Sequence, residues 1–335
     1  MKAAVIKAVN TVEVCDIKKP EVKKGHVLLK VAYGGFCGPT EMCMIEGIHP
    51  RAKFPLVFCH EFSGIIEETA PGSAYNKGEA VTVNPLVTCG ECYVCRSGNS
   101  YICEKLKLIG IDSDGGFAQY CLVPEANLVR IPAGMPLKLA AFAEPVAVGV
   151  HAVRGSPFKA GDTAMVLGAG PIGLITAMCL KAAGAGEIIV AEKDQRRLAF
   201  VRELGFEAAG GLEDFKKNNK RVIDQIFDTT GAPAVLPYAV DLVKIKGFIA
   251  IVGKFDYPAP VNLHDVLFKE LTISGFRVYK DAEFAQAVRL IAKNAADFEK
   301  LITDVYALDD INQAIEGFKG RKNLCKIMLK ASTDC

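Results

Sequence analysis

A glycine-rich turn between an apolar strand and a helix is the feature that most constrains the fold of this chain. A buried strand is predicted at 163–167, the turn Gly168-Ala169-Gly170-Pro171-Ile172-Gly173 follows it, and a helix is predicted from residue 174. Such glycines permit a tight turn and a close approach of the backbone to a pyrophosphate, and the helix N-terminus offers unpaired N–H groups to the anion. The pattern therefore predicts a dinucleotide site at Gly168, Gly170, Pro171, Ile172 and Gly173.

An acidic residue about 20 positions beyond such a turn discriminates between the two nicotinamide coenzymes. Glu192 follows the next predicted strand, 187–190, and Asp194 is the alternative. A carboxylate there hydrogen-bonds the ribose hydroxyls and repels a 2′-phosphate, which favours NAD. Arg197, together with Arg196, keeps NADP open, because a nearby arginine accommodates that phosphate.

The pattern of strands and helices changes near residue 145. Before about residue 130 the chain reads as short strands with turns, for example 25–31 and 78–83, which predicts an all-β unit. Beyond residue 140 apolar strands alternate with helices, with further strands at 223–227 and 247–252. This alternation predicts βαβ units and a parallel sheet, and a closing strand is predicted at 323–329.

Composition excludes several classes of protein. The 335 residues carry 40 Lys plus Arg against 38 Asp plus Glu, without the basic stripe that is typical of nucleic-acid binders. The apolar run at 3–6 is too short for a signal peptide, and glycines interrupt the uncharged stretch 163–180, so we expect a cytoplasmic protein without a membrane span. In a reducing compartment the twelve cysteines are expected to bind metal or react rather than form disulfides.

Four of these cysteines form a C-x2-C-x2-C-x7-C segment: Cys89, Cys92, Cys95 and Cys103. Four thiolates in a tight loop suit tetrahedral zinc, and a site with no open position stabilises a fold rather than performing chemistry. The alternatives are four unrelated buried thiols or a nucleic-acid zinc ribbon. The mixed charges of Glu91, Arg96, Glu104 and Lys105 argue against the ribbon.

Cys37 and His60 are a separate thiol and imidazole of the kind that a catalytic zinc uses. Taken alone each is a weak signal, because a free cysteine or a lone histidine is usually structural. The sequence carries, in order, Cys37-Gly38, His60-Glu61, the four-cysteine segment, Glu144-Pro145 and the glycine turn. This order resembles the zinc-dependent medium-chain dehydrogenase/reductase family, which includes the alcohol and sorbitol dehydrogenases.

The resemblance implies an α/β fold with a doubly wound Rossmann coenzyme domain at 148–284. A GroES-like β-barrel catalytic domain would comprise 1–147 and 285–335, with the structural zinc lobe at 86–106. It also implies two zinc ions per chain. The catalytic ion would be held by Cys37, His60 and either Glu61 or Glu144. Glu144 stands where the alcohol dehydrogenases carry cysteine, which points to the sorbitol, or polyol, branch.

The resemblance implies roles for further residues, and this chain departs from the pattern of the family at two places. It places Val252 and Gly253 beside the nicotinamide and Arg277 against the substrate. The family normally has serine or threonine two residues after the ligand cysteine and aspartate three residues after it, whereas this chain has Pro39 and Thr40. The proton relay of the family therefore does not transfer to position 39, and Thr40, Glu61, Glu144 and a zinc-bound water are the candidates to replace it. Cys59 also replaces the family's glycine before His60.

The implied activity is hydride transfer between a secondary alcohol, in a polyol, sugar alcohol, cyclitol or diol, and NAD(H), with zinc polarising the substrate oxygen. The partners would be a small alcohol or ketone and further copies of the chain, in a homodimer or homotetramer, with no nucleic acid and no membrane. The alternative is a catalytically inactive, nucleotide-binding sensor or structural protein on the same fold. Retention of Cys37, His60 and Glu144 argues against it, because such a protein has no need of an open zinc site.

Overall fold

The structure is a computed structural model that describes residues 1–320 and 324–332. The chain divides into two compact units, which we call the split unit (Met1–Glu144 with Lys280–Cys335) and the central unit (Pro145–Tyr279). Asn323, at the start of the predicted closing strand, and Cys335 lie outside the described residues. In the described part of the chain, no helix has both the length and the apolar character that crossing a membrane requires.

The first part of the split unit is mostly β structure. Its strands are β1 (Lys2–Ala8), β2 (Thr11–Asp16), β3 (His26–Phe36), β4 (Leu56–Val57), β5 (Glu61–Thr69), β6 (Ala80–Val83), β7 (Leu86–Val87), β8 (Lys107–Leu108), β9 (Tyr120–Pro124) and β10 (Leu128–Arg130). Its helices are α1 (Gly38–Ile45), α2 (Tyr93–Arg96) and α3 (Leu137–Ala141), and α4 (Ala143–Gly155) begins at its end. The short helix α1 was not predicted from the sequence. It begins where Cys37 and Pro39 follow β3, and proline is well suited to a first helical turn.

The central unit is a doubly wound α/β structure. Its strands are β11 (Thr163–Leu167), β12 (Glu187–Ala191), β13 (Glu207–Ala209), β14 (Ile223–Asp228), β15 (Val243–Ile251) and β16 (Thr272–Gly275). Its helices after α4 are α5 (Pro171–Ala182), α6 (Gln195–Glu203), α7 (Leu212–Asn218), α8 (Leu236–Leu242) and α9 (Leu263–Phe268). All strands are parallel, in the order β13-β12-β11-β14-β15-β16, which is the 3-2-1-4-5-6 order of Rossmann folds.

The chain then returns to the split unit. This part contains α10 (Asp281–Lys293), α11 (Ala295–Glu299), β17 (Ile302–Ala307), α12 (Ile311–Lys319) and β18 (Lys326–Lys330). Strand β18 pairs with β3, so that one sheet runs β10-β6-β5-β3-β18-β17 with β9 also paired to β3. A second sheet, β2-β1-β4, and the β7–β8 pair complete the unit. The predicted fold class, a GroES-like β unit with a cysteine lobe and a Rossmann unit, is confirmed.

The core of the central unit explains why its elements were readable from the sequence. Strands β11 and β14 are almost entirely buried, because neighbouring strands cover their edges and helices cover both faces. β11 is therefore an apolar run bounded by Asp162 and Gly168, whereas β14 carries Asp224 and Gln225 between its apolar residues. The carboxyl ends of these parallel strands lie at the same end of the sheet. The glycine turn that follows β11 and Asp228, the last residue of β14, both lie there.

Candidate active site

Three side chains of the split unit converge at the end of β3. Cys37 lies between β3 and α1, and His60 and Glu61 lie at the start of β5. Strands β3 and β5 are antiparallel with Gly35 opposite Glu61, which brings the two strand ends together. One potential ligand atom from each of Cys37, His60 and Glu61 lies within 4.8 Å of the other two.

Gly35 makes room for this arrangement. A Cβ atom at position 35 would lie 2.2 Å from Oε2 of Glu61. Only a residue without a side chain therefore allows the Glu61 carboxylate to lie against β3. Gly35 is thus required by the three-residue cluster as well as by the strand.

Lys326 on β18 is the cation that balances Glu61. Both side chains are almost completely buried, and they form a short ion pair. The Lys326 ammonium also donates a hydrogen bond of 3.1 Å to the Phe36 carbonyl. Burial opposes the charge of this lysine, but the Glu61 carboxylate outweighs it and raises the pKa of Lys326. Lys326 therefore supplies the positive charge beside Glu61 in the described part of this cluster.

Glu41 on α1 is a second buried carboxylate, and the sequence did not identify it. Its side chain is fully buried, and its Oε1 lies 3.5 Å from Nδ1 of His60. Burial raises the pKa of Glu41, against the opposing effect of His60. Burial alone would lower the pKa of His60, but Glu41 and Cys37 outweigh it and raise that pKa well above its ordinary value.

The donor atoms of this cluster fit a divalent metal ion. Cysteine, histidine and glutamate are common zinc ligands, and three protein ligands leave one position for substrate. Among the described residues, both oxygens of Glu41 and Nδ1 of His60 are buried without a hydrogen-bond partner. Buried polar atoms are normally satisfied, so this set of orphaned atoms indicates a site built for a cation.

The other residues predicted near the catalytic zinc lie outside the group formed by Cys37, His60 and Glu61. Glu144 is buried in the first turn of α4 and is not part of the group formed by Cys37, His60 and Glu61. The Cys37 thiol donates to the Thr40 hydroxyl at 3.3 Å, which places that hydroxyl beside the metal cluster. Pro39 is exposed.

Cys59 occupies a backbone conformation that favours glycine. Its φ is +90°, its side chain is fully buried, and its thiol donates to the Glu61 carbonyl at 3.3 Å. Burial raises the pKa of this thiol well above its usual range. The residue is therefore a packed thiol rather than a thiolate, and it lies outside the group of candidate ligands.

The four cysteines between β7 and β8 form a second, closed group. One Sγ atom from each of Cys89, Cys92, Cys95 and Cys103 lies within 4.8 Å of the others, and the Cys89–Cys103 pair is 3.4 Å apart. The backbone amides of Cys92 and Lys105 point at the sulfurs of Cys89 and Cys103, at 3.4 and 3.3 Å. Amides near Glu104 and Cys95 lower the pKa of Cys92 to about 6, which favours a thiolate. Four sulfurs around one point match tetrahedral zinc with no open position.

The glycine turn of the central unit has the geometry of a phosphate cradle. Gly168 follows β11 with φ +97°, Gly170 is the N-cap of α5, and Pro171 is its first residue. A Cβ atom at Gly173 would lie 1.9 Å from the Gly168 carbonyl oxygen, so this turn of the helix requires glycine. Ile172 lies in the same first turn. The free N–H groups of the α5 N-terminus therefore face the loop, as an anion site requires.

Glu192 is the acidic residue that lies against this turn. Its Oε2 accepts a hydrogen bond of 3.1 Å from the Ala169 amide, and Arg197 lies 3.9 Å from the same oxygen. Asp194 has a different role, because its carboxylate caps α6 by accepting from the amides of Arg196 and Arg197. The hydrogen bond from the Arg196 side chain lowers the pKa of Asp194 to about 2.

The remaining predicted residues of the central unit lie beyond the ends of β15 and β16. The amides of Val252 and Gly253 donate to the Asp228 carbonyl at 2.8 and 2.9 Å, which fixes this segment to the end of β14. Arg277 is exposed after β16, and the next residue, Val278, has φ +49°. A β-branched residue in the left-handed region is strained. The surrounding structure must therefore stabilise the backbone conformation next to Arg277.

This combination of a Rossmann unit, a GroES-like unit and two zinc-type clusters defines a zinc-dependent nicotinamide dehydrogenase. Residues 23–133 match the model of the alcohol dehydrogenase GroES-like domain, and residues 171–293 match that of the zinc-binding dehydrogenases. The chain belongs to the zinc-dependent medium-chain dehydrogenase family. It is an NAD(P)-dependent zinc enzyme that acts on a CH–OH group.

Individual relatives cover nearly the whole chain. A 2-dehydro-3-deoxy-L-galactonate 5-dehydrogenase of Pseudoalteromonas atlantica is 35% identical over 92% of this chain and 93% of its own length. A sorbitol dehydrogenase of Halalkalibacterium halodurans is 33% identical over 93% and 94%. The solved structure of an alcohol dehydrogenase of Escherichia coli CFT073 with NADH has a TM-score of 0.92 at 30% identity, over 98% of this chain and 99% of that one.

Proposed function

We propose that this chain oxidises a secondary hydroxyl group of a polyhydroxylated substrate, a polyol or a sugar acid, with NAD as the coenzyme. The observation that carries the proposal is the convergence of half-buried Cys37 with buried His60 and Glu61 within 4.8 Å of one another. Sorbitol and a sugar acid are the substrates named for the two relatives. Arg277, exposed at the end of β16, supplies a guanidinium group suited to a hydroxyl or a carboxylate of such a substrate.

In the proposed mechanism Cys37, His60 and Glu61 hold the catalytic zinc and leave one position open. When bound, zinc supplies a Lewis acid that polarises the substrate oxygen. Lys326 orients Glu61 through their buried ion pair. Thr40 replaces the missing hydroxyl at position 39, because its Oγ1 lies 3.3 Å from the Cys37 sulfur and can pass on the proton that the substrate hydroxyl loses. The sulfurs of Cys89, Cys92, Cys95 and Cys103 hold the structural zinc.

The direct test combines metal analysis with a substrate panel. Purified protein is expected to contain two zinc ions per chain and to reduce NAD with at least one of sorbitol, other sugar alcohols, cyclitols, diols or sugar acids. A chelator should remove the activity, and added zinc should restore it. A protein that binds NAD and zinc but reduces no coenzyme with any member of the panel would instead be the non-catalytic sensor.

Glu192 is proposed to select NAD over NADP. Glu192→Ala is expected to lower the ratio of kcat/KM for NAD to that for NADP by about 10- to 100-fold, because charged hydrogen bonds to the ribose hydroxyls contribute about 1.5–3 kcal/mol. The measurement is steady-state kinetics with both coenzymes. Asp194→Asn is the matched control, because asparagine also caps a helix and the ratio should not change. An unchanged ratio in Glu192→Ala contradicts this role.

We also propose that two copies of the chain associate through the β16 edge of the central unit. Strand β16 ends the six-stranded sheet, and the neighbouring helix α9 exposes Leu263, Leu267 and Phe268 by 69–73%. A strand edge is self-complementary about a two-fold axis, and a second copy would cover both the edge and these apolar side chains.

Leu267→Glu is therefore expected to convert a dimer into a monomer, or a tetramer into a smaller species. Light scattering after size-exclusion chromatography gives the mass directly. Val222→Glu, at an apolar position before β14 that is 63% exposed, should leave the mass of the assembly unchanged. A wild-type protein that is monomeric at micromolar concentration contradicts the proposed interface.

A further inference from the structure

The buried carboxylate of Glu41 has no role in the proposed function so far. Its side chain is fully buried in α1, and both of its oxygens lack a hydrogen-bond partner among the described residues. Burial of an unpaired carboxylate is costly, so a group in this position needs a compensating interaction. The surroundings of Glu41 show what that interaction is.

The position of Glu41 relative to the metal cluster is set by one turn of helix. Its backbone amide donates to the Cys37 carbonyl at 2.9 Å, so Glu41 lies directly above Cys37 on the same face of α1. Across from this face its Oε1 is 3.5 Å from Nδ1 of His60. That nitrogen is also buried without a hydrogen-bond partner in the described chain.

We propose that Glu41 is the positioning residue for His60: its carboxylate accepts the Nδ1 proton and thereby presents Nε2 to the catalytic zinc. A histidine can bind a metal through only one nitrogen with its lone pair free, and the hydrogen bond at the other nitrogen decides which one. Carboxylates that receive such a hydrogen bond orient the ring and increase its basicity as a ligand. This inference rests on the proposed zinc site of Cys37, His60 and Glu61.

The sequence around Cys37 explains why this role falls to position 41. Position 40, where the family normally has aspartate, is threonine in this chain, and its hydroxyl contacts the Cys37 sulfur. Residues three and four positions after Cys37 both lie one helical turn away from it. The carboxylate of this chain lies at position 41, and the glutamate side chain reaches to within 3.5 Å of Nδ1 of His60.

The charges of the cluster are consistent with this role. Cys37, Glu41 and Glu61 are three potential anions, and Lys326 is the buried cation among them. A divalent cation bound here would add positive charge beside these three acidic groups, so Glu41 would support a zinc site rather than oppose it.

The test measures metal binding rather than turnover alone. Cobalt replaces zinc in the catalytic site, its visible spectrum reports the ligands, and competition with a chelator gives the dissociation constant. Glu41→Ala is expected to weaken cobalt binding by about 10- to 100-fold and to change the spectrum. Glu41→Gln, which keeps the shape and an accepting oxygen, should retain more of the affinity. Glu46→Ala, at the exposed end of α1, is the matched control and should bind as the wild type does.

A second variant separates positioning from mere support of the fold. In the double variant Thr40→Asp/Glu41→Ala a carboxylate returns to the preceding residue, and cobalt affinity and spectrum should recover. Wild-type affinity and spectrum in Glu41→Ala overturn the inference. A loss in Glu41→Ala that neither Gln nor the double variant restores also overturns it, because Glu41 would then only support packing. A wild-type protein that binds no metal at Cys37 and His60 refutes the proposed function itself.

Discussion

Replacement of Cys37 by serine or of His60 by alanine is expected to reduce NAD-dependent alcohol oxidation by about a thousand-fold or more. Each substitution removes one of three ligands from the proposed catalytic site. Polarisation of the substrate oxygen by a metal contributes several kcal/mol to catalysis, and each 1.36 kcal/mol is a factor of ten in rate. The measurement is kcat/KM for the substrate that the panel identifies, together with the zinc content, which should fall from two ions per chain towards one.

Two control variants make this result specific. Cys15→Ser removes a half-buried thiol on β2 outside both cysteine groups, and it should leave activity and zinc content unchanged. Cys92→Ser removes a ligand of the closed group, and it should lower the melting temperature and the yield of folded protein, because structural zinc contributes directly to folding. Full turnover in Cys37→Ser or His60→Ala refutes the assignment of the catalytic site.

Lys326→Met is expected to destabilise the protein by about 3–5 kcal/mol, because it leaves the Glu61 carboxylate buried without its cation. The effect should be larger after the catalytic metal is removed, since zinc would otherwise balance Glu61. The measurement is the shift of the urea unfolding midpoint, followed by circular dichroism. Lys330→Met, at the half-buried end of the same strand, is the matched control and should shift the midpoint much less.

A double variant isolates the ion pair from other effects of the substitution. Glu61→Gln/Lys326→Met removes both charges, so it should be less destabilised than the sum of the two single variants. Additive effects in this cycle, or a Lys326→Met protein as stable as the wild type, contradict the pairing of Lys326 with Glu61. The double variant should nevertheless lose activity, since Glu61 is a proposed metal ligand.

Sequence reasoning predicted the central unit well because its signals are local. Strands β11, β12 and β15 contain short apolar runs, β14 has the apolar pair Ile226-Phe227, and the glycine turn lies within one strand, loop and helix. Strands β13 and β16, with helices α7 and α9, were missed, since β13 and β16 are short and half exposed and carry no clear apolar pattern. The four-cysteine lobe was equally readable, because all its ligands lie within fifteen consecutive residues.

The catalytic cluster was only partly predictable. Cys37 and His60 were identified through the resemblance, but the third ligand was left open between Glu61 and Glu144. Glu41 had a detectable signal, because it lies one helical turn after Cys37, but α1 itself was not predicted. Lys326 also had a signal, since it is a single charge within the apolar run 325–329. Neither sequence pattern predicts which residue Glu41 or Lys326 contacts in the folded protein.

The sequence by itself therefore determined the fold class, the family, the coenzyme turn and the four-cysteine group, because each depends on residues that are close in the chain or on their order along it. The tertiary structure decided which acids surround His60. Pairing of β3 with both β5 and β18 brings Glu61 and Lys326 together across 265 positions of sequence, beside Gly35. Burial then makes each unpaired charge expensive, so these contacts depend on the folded sheet and not on any local pattern.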